Sequence, residues 1–269
     1  MRILFIGDLY GRSGRDALIK HLPTLKEKLT PDVIIVNGDN AAHGRGITAA
    51  ICDDLFGLGV DCITSGDHVW DQREIIGVID NEKRLIRPLN YAAKTPGMGH
   101  YSKTLPTGQK LIVVHVQGQL FMKEADNAFT AIDRLLDSER IGNRTSIFVD
   151  IHAEATSEKM AMAQYLDGRV SAVVGTHTHI PTADAQIFKK GTAFQTDTGM
   201  TGDYDSVIGA NTDDSIYRFT TRMPKPLIPA DGEATVCGVF VETDDSTGLA
   251  RFIGPVRVGG RLSGTVPTV

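Results

Sequence analysis

The sequence predicts an α/β fold, and two observations lead there. Short apolar runs rich in valine and isoleucine recur through the first 180 residues, and stretches of helical spacing separate the first of them. The runs are apolar nearly throughout, as in strands covered on both faces. A third observation bears on function: run after run ends in a residue able to hold a metal.

The first run, "RILFIGD" (2–8), reads as a strand closing on Asp8. Residues 12–29 follow with Leu18, Leu22, Leu25 and Leu29 on one side, which predicts a helix that Pro23 could kink or shorten. "VIIVNGDN" (33–40) closes on Asp39 and Asn40, and a helix is expected over 47–58. "DCITSGDH" (61–68) closes on Asp67 and His68, with a shorter helical stretch at 73–79. "LIVVHVQG" (111–118) is a strand without such an ending. "SIFVDIHAE" (146–154) carries His152, and "VSAVVGTHTH" (170–179) closes on His177 and His179. Alternation of this kind predicts layered α/β architecture. Beyond it, 192–198, 235–243 and 249–258 read as strands with no convincing helix between them, and 201–215 reads as a loop. No repeat or linker interrupts the chain, so one domain, 1–269, is expected.

The totals are those of an ordinary water-soluble globular chain: 269 residues, 41% apolar, 23% charged, net charge −5. No dense lysine or arginine run marks a nucleic-acid groove or an anionic membrane face. Nucleic acid is therefore not the favoured partner, and a membrane is not expected. Cys52, Cys62 and Cys237 are odd in number and lack paired spacing, so buried thiols are expected and not a disulfide framework. The N-terminal apolar stretch is broken at Asp8, too early for a signal peptide, which points to the cytoplasm.

An aspartate after a strand often only caps a helix or starts a turn. Five endings of one kind are harder to assign to turns alone. In open α/β sheets ligands bind at the carboxyl ends of strands, where residues distant in sequence converge. Carboxylates, an amide and imidazoles suit divalent manganese, iron or zinc. His-x-His on an extended segment would point both rings the same way. A turn beginning by His177 could aim them apart.

Taken in order, "GD" (7–8), "NGDNAAHGRG" (37–46), "SGDHVWD" (65–71), "DIHAEATSEK" (150–159) and "GTHTHIPTAD" (175–184) resemble the calcineurin-like metallophosphoesterases, specifically the YmdB-type branch. "KGTAFQTDTGMTG" (190–202) resembles that branch's C-terminal signature. The resemblance implies two facing β-sheets flanked by helices, a four-layer sandwich with a dinuclear site at one edge. It implies that Asp8, Asn40 and His179 hold one metal, that Asp67, His152 and His177 hold the other, and that Asp39 bridges them. His68 would be the proton donor. His177 and His179 would then serve neighbouring metals roughly 3.5–4 Å apart.

Three positions depart from the pattern. Tyr10 stands where the wider superfamily has the histidine of Asp-x-His, a loss the branch shares by using an amide, here Asn40. Asp67 stands where the family's third motif, Gly-Asn-His, has asparagine. Asp39 stands where the branch commonly has glutamate.

The activity so implied is that of a two-metal phosphodiesterase, including on cyclic nucleotides. A small phosphodiester is the expected partner, two divalent or mixed-valence ions the cofactors, with iron or manganese ahead of zinc. Homo-oligomerisation stays open. A dinuclear hydrolase of amides or esters and a non-catalytic nucleotide- or metal-binding regulator are the rival readings. Glu154 and Glu158 could orient His152 or cap a helix, and His43 could face the substrate or sit idle in its loop. His21, His100 and His115 read as solvated or core residues, and Trp70 as core.

Overall fold

The computed structural model describes residues 1–268, so the last residue of the expected span, Val269, lies outside it. The chain opens with β1 (Arg2–Ile6), α1 (Gly11–Leu29), β2 (Val33–Asn37), α2 (Ala49–Gly57), β3 (Cys62–Thr64), a 3-10 turn at Arg73–Gly77, and β4 (Leu85–Ile86). It continues through β5 (His100–Thr104), β6 (Lys110–Gln117), α3 (Ala128–Leu136), β7 (Thr145–His152), α4 (Thr156–Tyr165), β8 (Ala172–Thr176), β9 (Gln186–Ile187) and β10 (Ala193–Gln195). It ends with β11 (Gly202–Asp203), α5 (Thr212–Thr221), β12 (Ala234–Thr243) and β13 (Ala250–Val258).

Two sheets result. One has the order β11-β12-β1-β2-β3-β4, with β13 paired to β12; the other has the order β5-β6-β7-β8-β10-β9. β1 to β4 run parallel, as do β6, β7, β8 and β10, and antiparallel strands border them. The apolar runs have two buried faces because each sheet is covered twice. Ile3 and Phe5 of β1 pack between the sheets with Leu111, Val113 and Phe148. Leu4 and Ile6 point the other way, against Leu18, Leu22 and Leu25 of α1. A third core lies between β6, β7 and β8 and the helices α3 and α4.

The helical expectations need correction. α1 is not shortened by Pro23 and continues past it to Leu29. Pro23 is exposed, and Ile19, whose carbonyl loses its donor, is 50% exposed, so water can satisfy it. The stretch at 73–79 is only a 3-10 turn. The segment between the later strands does contain a helix: α5 starts inside the expected loop, with the Asn211 side chain accepting the Asp213 and Asp214 N–H groups. Its Ile216, Tyr217 and Phe219 are exposed, so its apolar residues mark no buried face. α4 shows no apolar stripe in the sequence because one of its inward-facing residues is Lys159. Among the described residues no helix is long and apolar enough to cross a membrane. All three cysteines are free and buried.

Candidate metal centre

The carboxyl ends of β1, β2 and β3 in one sheet face those of β7 and β8 in the other. Beneath this edge the sheets are joined through Asp150, which is fully buried. Its carboxylate accepts from Asn37 Nδ2 at 3.0 Å, Thr64 Oγ1 at 2.6 Å and Thr176 Oγ1 at 2.8 Å. Burial alone would raise its pKa, but the neighbouring His115 and these donors hold it below the usual carboxylate range. His115 Nε2 accepts the Gly66 N–H at 3.0 Å, which leaves the proton on Nδ1, turned toward Asp150 Oδ2 3.1 Å away but off the hydrogen-bond axis. His115 is thus a buried prop of the third motif. Gly66 itself is at φ +55°, and a side-chain carbon there would overlap the Asp39 carboxylate and the His152 ring, which come close enough to exclude every other residue.

The donors converge on His152. Its Nε2 lies 3.4 Å from Asp39 Oδ2, 3.3 Å from Asp67 Oδ1 and 3.1 Å from His177 Nδ1. Its Nδ1 is 2.9 Å from Thr176 Oγ1 and 3.8 Å from Asp8 Oδ1. Three overlapping sets could each hold an ion: Asp67, His152 and His177; Asp8, Asp39 and His152; and Asp39, Asp67 and His68. His179 stands apart from these sets and turns Nε2 to Asn40 Oδ1 at 3.1 Å, with Nδ1 on the Ile208 carbonyl at 2.7 Å. Tyr10 packs edge-on against the His179 ring, centroids 5.4 Å apart.

The two histidines of the His-x-His that follows β8, His177 and His179, therefore do diverge. Both take positive φ, 94° at His177 and 69° at His179, unusual for side chains with a Cβ. The turn is held by two carboxylates. Asp8 accepts the His177 N–H at 3.2 Å, and Asp197 accepts the Thr178 N–H at 3.2 Å and its hydroxyl at 2.6 Å. Asp197 is in turn paired with Lys159 at 2.7 Å, both side chains fully buried. Neither Lys159 nor Asp197 is visible as a site residue from spacing; the only hint is a lysine on the inward face of a helix.

His68 lies at the rim, its N–H donated to Asp39 Oδ1 at 2.8 Å and its Nδ1 2.9 Å from Asp71 Oδ2. Asp71 closes the third motif, 65–71, and carries no signal in the sequence beyond that place. Glu154 approaches His177 Nε2 at 3.3 Å and so does not orient His152. Glu158 accepts the Gln119 N–H at 2.8 Å and serves the 118–126 loop. His43 is exposed in its loop, and Trp70 packs on the first core.

Charge at the centre is balanced by protons. Burial disfavours a charge on His152, but Asp39, Asp67 and Asp8 around it raise its pKa well above the ordinary value. Burial, then that neighbouring charge, pushes His177 down to about 3. Burial pushes Asp8 up to about 6 despite His179 and His152. Burial acts the same way on Asp67, but its bond to His152 and the nearby His68 and Lys123 hold it far below the usual range. A set of three carboxylates, an amide oxygen and three imidazoles, all buried but the half-buried His177 and packed this closely, is what divalent cations of the manganese, iron or zinc type require.

The profile of the YmdB-like protein family matches residues 4–256. A Bacillus subtilis protein, 2',3'-cyclic-nucleotide 2'-phosphodiesterase, is 47% identical over 248 residues, covering 92% of this chain and 93% of the relative. A crystal structure of a hypothetical protein from Thermus thermophilus superposes with TM-score 0.91 at 42% identity, over 97% of this chain and all of that one. A phosphatase from Mycoplasma pneumoniae superposes with TM-score 0.89 at 35% identity, over 96% of this chain and 93% of that one.

Proposed function

The chain belongs to the YmdB-like protein family, and we propose that it is a dinuclear metal-dependent phosphodiesterase acting on nucleotide phosphodiesters, cyclic ones included. The observation that carries this reading is the meeting of Asp39, Asp67 and His177 within 3.1–3.4 Å of His152 Nε2, between two sheets. The name of the Bacillus relative supports a cyclic nucleotide as substrate.

In this reading Asp8, Asn40 and His179 hold one ion, Asp67, His152 and His177 hold the other, and Asp39 is shared. Iron or manganese is favoured, with zinc third, and the site of action is the cytoplasm. Such a pair, when bound, supplies Lewis acidity for a phosphate and an acidified water. The chain's own contribution is position. Asp150 and His115 fix the strand ends and Gly66, and Asp8 and Asp197 fix the turn between the histidines, so the donor set is held by contacts of the chain itself. His68, tethered by Asp71 through Nδ1, keeps Nε2 for the leaving alkoxide and gives it a proton.

The test is reconstitution with Mn2+, Fe2+ and Zn2+ separately, followed by a panel of 2',3'-cyclic nucleotides, a chromogenic phosphodiester, a phosphomonoester and an amide. Two ions per chain and fastest turnover of a phosphodiester are expected. His152→Ala should lose at least one ion and keep its circular dichroism. One ion or none in the fully loaded wild type, or turnover of the amide alone, would overturn the reading.

A further inference from the structure

Asp67 uses its two oxygens differently. Oδ1 turns inward, 3.3 Å from His152 Nε2 and 3.7 Å from His177 Nδ1. Oδ2 turns outward, 3.2 Å from Lys123 Nζ, which also donates to the Asp67 carbonyl at 2.8 Å. Among the described residues Lys123 is the one lysine or arginine paired with any of the three carboxylates Asp8, Asp39 and Asp67. Its side chain is 57% exposed while that of Asp67 is 9% exposed, so the ammonium stands at the mouth with Asp67 behind it.

The loop that carries Lys123 is anchored on both sides. The Lys123 carbonyl accepts from Gln117 Nε2 at 2.8 Å, and Gln117 Oε1 accepts from Tyr91 at 2.7 Å. Glu158 accepts the Gln119 N–H, and Asn90 Nδ2 donates to the Asp126 carbonyl at 2.8 Å. Lys123 is therefore delivered to Asp67 by a braced loop.

We propose that Lys123 is the counter-charge of Asp67 and a specificity-determining residue for the substrate's phosphate. The argument is one of sign. Three carboxylates attract cations and repel an anionic substrate. An ammonium on the outer oxygen of one of them cancels a unit of that charge on the side from which substrate enters. It leaves Oδ1 free for the interior and offers its remaining N–H groups to a phosphate oxygen. Lys123 thus weakens cation binding and strengthens phosphate binding. A lysine that merely braced its loop would support both.

The proposal rests on the phosphodiesterase reading, so its test reads binding and not turnover. Mn2+ affinity is measured by calorimetry on the metal-stripped full chain, and inorganic phosphate affinity on the Mn2+-loaded chain. Lys123→Met should bind Mn2+ more tightly and phosphate more weakly, each by about two- to fivefold, the scale of a partly exposed ion pair. Lys123→Arg should stay within about twofold of wild type on both. Lys123→Met with Asp67→Asn should move both affinities back toward wild type from the single variants. Parallel loss of both affinities in Lys123→Met, or no change in either, overturns the proposal. Opposite shifts in a chain that turns over no phosphodiester would sustain it while the phosphodiesterase reading fell.

Discussion

Asp71 Oδ2 lies 2.9 Å from His68 Nδ1, three residues away in the same turn, while the His68 N–H binds Asp39. The ring is therefore fixed at one nitrogen and free at the other, at the rim of the donor cluster. In the function proposed above the free nitrogen is the proton donor, and metal content separates that role from the rival one, a ligand in the set of Asp39, Asp67 and His68.

If so, His68→Ala should lower turnover by roughly 10²–10⁴ and leave metal content unchanged. Asp71→Asn should lower it by about tenfold, since it loosens the ring without removing it. Both losses should shrink on esters with good leaving groups, which need no proton. Equal losses for nitrophenyl and alkyl leaving groups would remove His68 from this role.

Metal affinity should change slope with pH near 6. A proton on Asp8 or His152 must leave before a cation can bind there. Asp8 sits at about 6, so above that pH it is already ionised and costs nothing. His152, raised well above its ordinary value by three carboxylates despite its burial, keeps its proton past the pH at which an ordinary histidine loses it. Loading both ions should therefore release about one proton per chain above pH 6 and about two below it. Calorimetry in buffers of different ionisation enthalpy counts them. A count that stays constant from pH 5 to 8 would contradict this.

Much of this centre was legible in the sequence because strands announce themselves. Asp8, Asp39, Asp67, His152 and His177 each follow or end an apolar run, and parallel strands bring such ends to one edge. What lay hidden were contacts whose meaning is three-dimensional. His115 looks like any polar residue in a strand until Gly66 is placed on its ring. Glu158 reads as a candidate partner for His152 but belongs to a loop 38 residues earlier in the chain. Lys159 disguised α4, because a buried charge breaks the apolar stripe by which a helix is recognised.

That lysine carries a stability prediction. Lys159 and Asp197 are both fully buried and 2.7 Å apart. Lys159→Met would leave the Asp197 carboxylate uncompensated, which should cost about 3–5 kcal/mol in urea unfolding. Lys159→Arg should lose less, because it keeps the charge. A Lys159→Met chain as stable as wild type would mean that Asp197 is satisfied by Thr178 and by the Gly199 N–H, which it accepts at 2.8 Å.

Asp67 is where this chain departs from the Gly-Asn-His that the family resemblance leads one to expect, and its charge can be followed. Asp8, Asp39 and Asp67 contribute three negative charges, and Lys123 returns one. Asp67→Asn removes a carboxylate whose inner oxygen lies 3.3 Å from His152 Nε2. A unit charge about 4 Å from a cation is worth about 4 kcal/mol at an effective dielectric of 20, before desolvation is subtracted. Metal should therefore bind at least about tenfold more weakly to Asp67→Asn. Once saturated, that variant should be the better phosphate binder, because Lys123 then stands uncancelled at the mouth. KM for a phosphodiester should fall. The pH–rate profile should move toward acid, since one negative charge fewer favours ionisation of a water at the centre. Adding Lys123→Met should reverse the KM gain and leave the acid shift largely in place, because Lys123 faces outward. Kinetics at saturating Mn2+ from pH 5 to 9 separate the two effects. An unchanged profile and an unchanged KM in Asp67→Asn would mean that its carboxylate holds no ion, and the charge count would fall with it.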